Sequence, residues 1–167
     1  MLGVYDGFPA TVHKIMHFGI SISNRSLQQK LVKSLQALNK QAFSLEKLAD
    51  LSVPGFQAVF EFGIAEADGF NYLDEDETRG ALKAIVKKPL QTMDLFCVVR
   101  CHRSVPEKRA SLKFDYFMIR FMFNEGLMDA YAFHERGPRY TSPEDIINVV
   151  VNKVNEASSK KVITEVF

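Results

Sequence analysis

The chain has 167 residues, 47% hydrophobic and 25% charged, an ordinary composition for one globular domain with a proper core. A formal net charge of +1 leaves no electrostatic case for bulk nucleic-acid or membrane binding, and no run approaches the roughly 18 apolar residues of a membrane helix. Two cysteines, Cys97 and Cys101, argue against a disulfide framework and for a reducing, cytoplasmic setting.

No repeat, low-complexity tract or linker interrupts the sequence, so residues 1–167 are expected to form a single domain. Fourteen Phe and no Trp point to a Phe-rich core. Residues 1–10 carry the turn formers Gly3, Asp6, Gly7 and Pro9 and read as an irregular lead-in. Residues 1–23 lack the basic start and apolar block of a signal peptide. Residues 11–23 alternate, with Val12, Met16, Phe18, Ile20 and Ile22 on one side, which predicts a strand with a clear core face. Asn24 is the expected cap of a helix to about residue 39, with Leu27, Leu31, Leu35 and Leu38 at helical spacing. Ser44 is expected to start a short helix that Pro54-Gly55 ends.

Residues 56–67 predict a second strand and residues 68–72 a loop. A helix over residues 74–88 opens with Asp74-Glu75-Asp76-Glu77 and closes with Lys87-Lys88, a charge order that suits the helix dipole at both ends. Residues 93–103 are apolar on both faces and predict an internal strand. Residues 105–109 form the expected turn into the most informative stretch, residues 111–136.

That stretch is rich in aromatic and branched residues and turns at Asn124-Glu125-Gly126, the pattern of a long hairpin. A two-residue loop at Glu125-Gly126 pairs Phe123 with Met128, Phe121 with Ala130, Ile119 with Ala132, Phe117 with His134 and Asp115 with Arg136. One face is then apolar and ends in an opposite-charge pair. A three-residue loop sets Asp115 against Glu135 and Phe121 against Asp129, a poorer match. The other face carries Tyr116, Met118, Arg120, Met122, Asp129, Tyr131, Phe133 and Glu135; it is amphipathic, and something is expected to cover part of it. Ser142-Pro143-Glu144-Asp145 then starts a helix to about residue 156 with Ile146, Ile147, Val150, Val151 and Val154 inward. Residues 162–166 predict a short last strand. Short connections make the strands of residues 93–136 an antiparallel meander. The expected fold is an α+β two-layer sandwich, a mostly antiparallel sheet with helices packed mainly on one face.

Four groups of residues have the chemistry for a site. His13 and His17 are four apart, but on a strand that is about 13 Å, so metal binding requires help from neighbours such as His102 or Glu61. Cys101, beside Arg100, His102 and Arg103, has basic neighbours that favour a thiolate, whereas Cys97 sits in an apolar run. Seven acids lie between residues 55 and 78 without a Lys or Arg, yet not at the alternating positions of a calcium loop. Basic residues gather at Arg100, Arg103, Lys108, Arg109 and Lys113, and again at Arg136 and Arg139. The second group, Arg136-Gly137-Pro138-Arg139-Tyr140, precedes a helix start, where guanidinium forks and free N–H groups suit phosphate or carboxylate.

No phosphate loop, dinucleotide fingerprint, Gly-x-Ser-x-Gly elbow or HExxH is present, so no motif assigns an activity or a cofactor. The expected function is a homo-oligomeric module that binds a small anionic ligand at Arg136, Arg139, His134 and Tyr140. One alternative is a metal-assisted enzyme using His13, His17, His102 and nearby acids. Another is an assembly protein whose aromatic hairpin face is a subunit interface; near-neutral charge weighs against nucleic acid there.

Overall fold

The sheet runs β2–β3–β5–β6–β7–β1–β8 with β4 added on β3, and every pairing is antiparallel. Its strands are β1 (Lys14–Ile20), β2 (Ala42–Ser44), β3 (Phe56–Glu66), β4 (Gly69–Tyr72), β5 (Thr92–Arg103), β6 (Lys113–Asn124), β7 (Leu127–Arg136) and β8 (Ile163–Glu165). Three helices accompany them among the described residues: α1 (Asn24–Leu38), α2 (Glu75–Lys87) and α3 (Pro143–Glu156). The computed structural model describes residues 1–39, 41–44, 56–103 and 113–166. The expected turn over residues 105–109 lies outside them, as do residues 45–51 of the expected helix after Ser44.

The α+β two-layer architecture follows from strand alternation. Met16 and Phe18, Phe60 and Phe62, Leu95 and Cys97, Phe117 and Ile119, and Ala130 and Ala132 all point to one face and are buried there. The helices lie on that face: α1 touches β3 and is flanked by α2 and α3, and α3 covers β7, β1 and β8. Leu27, Leu31 and Leu35 of α1 are fully buried, each contributing roughly 1.5–3 kcal/mol of transfer free energy.

The caps explain where the helices begin. Ser142 and Asp145 form a reciprocal capping box with Pro143 at the first position of α3, and Asp74 caps α2 by accepting from the Glu77 N–H. The cap of α1 is Ser23, not Asn24: its hydroxyl accepts from the Ser26 N–H, and Asn24 is already helical.

Three local expectations are corrected. Residues 69–72 are not a loop but pair with residues 63–66 as β4, because Gly63 lets the Phe70–Asn71 backbone approach closely. Residues 42–44 form an edge strand on β3. In the central hairpin the predicted pairs hold from Asn124–Leu127 to Phe117–His134, but Arg136 then faces Tyr116 instead of Asp115. One extra residue, Glu135, is accommodated by a bulge, which changes the face of everything beyond it.

Side-chain amides close the gaps that strands leave. Asn39, just past α1, accepts from the Phe62 N–H at 2.6 Å and donates to the Phe62 and Leu73 carbonyls at 3.2 Å. It thereby seals the edge of β3 between β2 and β4. Buried Gln28 exchanges two 2.7 Å bonds with the Leu90 backbone, and Asn155 does the same for Val162 and Ile163 at 2.9–3.0 Å.

Candidate functional site

The expected anion-binding residues do converge, around a buried carboxylate. Asp115 is 1% exposed and accepts three hydrogen bonds: from His134 Nε2 at 2.8 Å, the Arg139 N–H at 2.8 Å and the Tyr140 N–H at 3.0 Å. Arg139 Nε donates to His134 Nδ1 at 3.2 Å, which sets the imidazole in the tautomer with its proton on Nε2. The His134 backbone N–H in turn donates to His13 Nδ1 at 2.9 Å. The loop geometry serves this carboxylate. Gly137 has φ +119°, and a Cβ there would collide with the Phe114 carbonyl and Asp115. Arg139 holds φ +61°, a left-handed conformation costly for a residue with a Cβ, stabilised here by its own N–H bond to Asp115.

An anion approaching this loop therefore finds two backbone donors and one guanidinium N–H already facing internal acceptors. Arg136 stands apart on the opposite face of the sheet, its guanidinium 4.2 Å from the centre of the Tyr116 ring. Thr141 is fully buried, and its hydroxyl has no partner among the described residues. A cleft of about 400 Å³ lined by Leu2, Val4, Lys88, Pro89 and Leu90 lies at the other end of the sheet.

The three histidines of the metal alternative do not converge. β1 and β5 are separated by β6 and β7, three strand spacings or roughly 14 Å. His13 stacks on Phe133 with ring centres 4.8 Å apart, and His17 Nδ1 lies 2.6 Å from Asp129 Oδ1. Among the described residues, no group of three His, Cys, Asp or Glu side chains has metal-binding geometry. Glu61 pairs with Arg100 at 3.1 Å and Glu66 accepts from Asn71 at 2.9 Å.

Cys101 faces away from Arg100 and His102, its immediate neighbours in sequence. Strand alternation turns its side chain into the core, where burial and the nearby Asp115 charge push the thiol up to about 11. Cys97, fully buried, is raised well above the usual thiol range by the same desolvation, with a smaller contribution from Glu61. Neither environment favours a thiolate nucleophile.

The feature only half visible in the sequence is the sheet face away from the helices. Register sets its side chains in rows: Asp94, Arg120, Tyr131 and Ile15; then Phe96, Met118, Phe133 and His13; then Glu61, Val98, Tyr116 and Arg136. Residues 3–8 strap one end of it. The Gly3 backbone bridges Ala65 and Asp94 at 2.7 Å on either side, Tyr5 packs on Phe70 at 4.8 Å, and Phe8 lies 4.3 Å from the Arg120 guanidinium. The strap is anchored on Asp94, whose fully buried side chain takes a bidentate 2.7–2.8 Å pair from Arg120 and a 2.8 Å bond from the Tyr5 N–H. This pairing and its local charge hold the Arg120 guanidinium above its ordinary value, against a smaller opposing desolvation. Beyond the strap, no helix covers the rings among the described residues: Phe96, Tyr116, Met118, Tyr131 and Phe133 are half-buried and Ile15 is 47% exposed.

No helix among the described residues is long and apolar enough to cross a membrane. No protein-family model matches this chain, and no curated protein or solved structure matches it either.

Proposed function

We propose that the protein is an interaction module that works through the open face of its sheet. The observation that carries this is the patch of half-buried Phe96, Tyr116, Met118, Tyr131 and Phe133 beside exposed Ile15, which no helix covers among the described residues. A contiguous apolar patch left partly accessible to solvent suits an interaction site, and aromatic residues and Met are enriched at the centres of interfaces. The small-anion reading at Arg136, Arg139, His134 and Tyr140 has weaker support. Asp115 already takes the loop N–H groups, and Arg136 faces away from the other three. The metal-assisted reading requires histidines that stand three strands apart.

Binding of the apolar dye bis-ANS to the folded protein tests the reading. The wild-type chain is expected to enhance dye fluorescence under native conditions. Phe133→Glu, with unchanged far-UV circular dichroism, is expected to abolish most of the enhancement. A folded wild-type chain that leaves the dye dark overturns the proposal.

A further inference from the structure

We infer that the partner on this face is a second copy of the chain, related by a two-fold axis that crosses β7 between Tyr131 and Phe133. The inference rests on the interaction reading above and adds to it the identity and register of the partner. Its basis is the order of side chains that β7 presents on the open face: Asp129, Tyr131, Phe133, Arg136. Acid, ring, ring, base is a self-complementary series. A two-fold across the strand reverses its direction, so Asp129 of one copy meets Arg136 of the other at both ends while the rings meet in the middle. An isologous contact requires this property of a surface.

Charge balance argues for the same occupant. Arg100 pairs with Glu61 at 3.1 Å and Arg120 with Asp94 at 2.7 Å, and on β7 the one acid, Asp129, is matched by the one base, Arg136, so the face carries no net charge. A polyanion or a strongly basic partner gains no net field there, whereas an identical face meets no repulsion. The bulge at Glu135 contributes by turning Arg136 outward over the Tyr116 ring. The strap of residues 3–8 packs on Phe70 of β4, Asp94 of β5 and Arg120 of β6, and so borders the patch at that end.

The size of the patch sets the strength expected. Five strands at ~4.8 Å and about seven residues at ~3.3 Å make a surface of roughly 20 Å by 20 Å, about 400 Å² per copy in projection. Both copies together then bury about 800 Å², below the range of stable specific interfaces and in the class of weak contacts, where association is reversible and concentration-dependent.

Sedimentation equilibrium of the full chain from about 10 µM to about 500 µM tests this, a range chosen for a dissociation constant on the order of 100 µM. The expected result is a monomer–dimer equilibrium that Phe133→Glu suppresses and that Asp129→Arg or Arg136→Glu alone weakens by about tenfold. The exchange Asp129→Arg with Arg136→Glu restores the acid–base series in reverse and is expected to recover association. A merely destabilised fold has no reason to respond in that way. A chain that stays monomeric throughout, a dimer indifferent to Phe133→Glu, or an exchange that fails to rescue each overturns the inference. If the wild-type chain is monomeric yet binds bis-ANS, the second copy fails and the interaction face stands. If it does neither, both fail.

Discussion

Arg136 lies with its guanidinium over the Tyr116 ring, 4.2 Å from the ring centre, on the face away from the helices. The opposite-charge pairing with Asp115 that a regular hairpin implies is replaced by a bulge at Glu135. The Asp115 carboxylate, inward by the alternation of β6, is thereby left without Arg136 and instead gathers His134, Arg139 and Tyr140. Asp115→Asn presents an amide N–H to donors and leaves at least one of these three bonds unmade. A loss of about 2–3 kcal/mol in unfolding free energy is expected. Amide hydrogen exchange at Arg139 and Tyr140 should accelerate with it. Unchanged protection at those two amides would show that the loop is held by something other than Asp115.

Asn39 has a comparable role at the edge of β3. Asn39→Ala leaves the buried Phe62 N–H without its 2.6 Å acceptor. The expected cost is about 1–3 kcal/mol in a denaturant titration. Asn39→Leu restores volume but not the acceptor, and is expected to remain destabilised. Full recovery in the leucine variant would mean that packing, not the hydrogen bond, explains the residue.

The strap depends on a buried ion pair. Arg120→Ala leaves the Asp94 carboxylate buried without its counter-charge, and a loss of about 3–5 kcal/mol is expected. Asp94→Leu with Arg120→Leu removes both charges and is expected to recover most of that loss, while the Tyr5 N–H loses its acceptor. A double variant no more stable than Arg120→Ala contradicts this account of the pair.

The two cysteines give a test with a direction in pH. The Cys101 thiol is pushed up to about 11 from an ordinary 9.0, so the unfolded chain ionises first as pH rises. Its contribution to stability is complete below about pH 9 and is lost between there and about pH 11. Iodoacetamide at pH 8 is expected to leave Cys97 and Cys101 unmodified in the folded chain and to label both in urea. Rapid labelling of the folded chain at pH 8 contradicts the buried assignment.

What the sequence makes legible is local. The α3 capping box from Ser142 to Asp145, the leucines of α1 and the alternation of β5 and β6 each follow from neighbours a few residues apart. The hairpin register was readable until the bulge, because its apolar pairs agree with one another as far as Phe117–His134. What escaped is nonlocal or backbone-borne. Nothing near residue 14 says that β1 will lie between β7 and β8, far from β5, and that placement separates His13 and His17 from His102. The sequence reading has Asp115 only as the cross-strand partner of Arg136, and His134, Arg139 and Tyr140 only as a separate anion site. Gly137, with φ +119°, wraps a carboxylate that lies on the other strand. The strap escaped because residues 3–8 bind mainly through backbone groups, at Gly3 and Tyr5, that carry no sequence signature.

A dilution series followed by amide NMR tests the central claim most directly. Raising the concentration of the wild-type chain is expected to shift amide resonances along β7, β1 and the facing part of β6, centred on Tyr131 and Phe133, and to leave α1, α2 and α3 unmoved. Concentration-dependent shifts in the helical layer, or spectra that superimpose at every concentration, would contradict self-association through the open face.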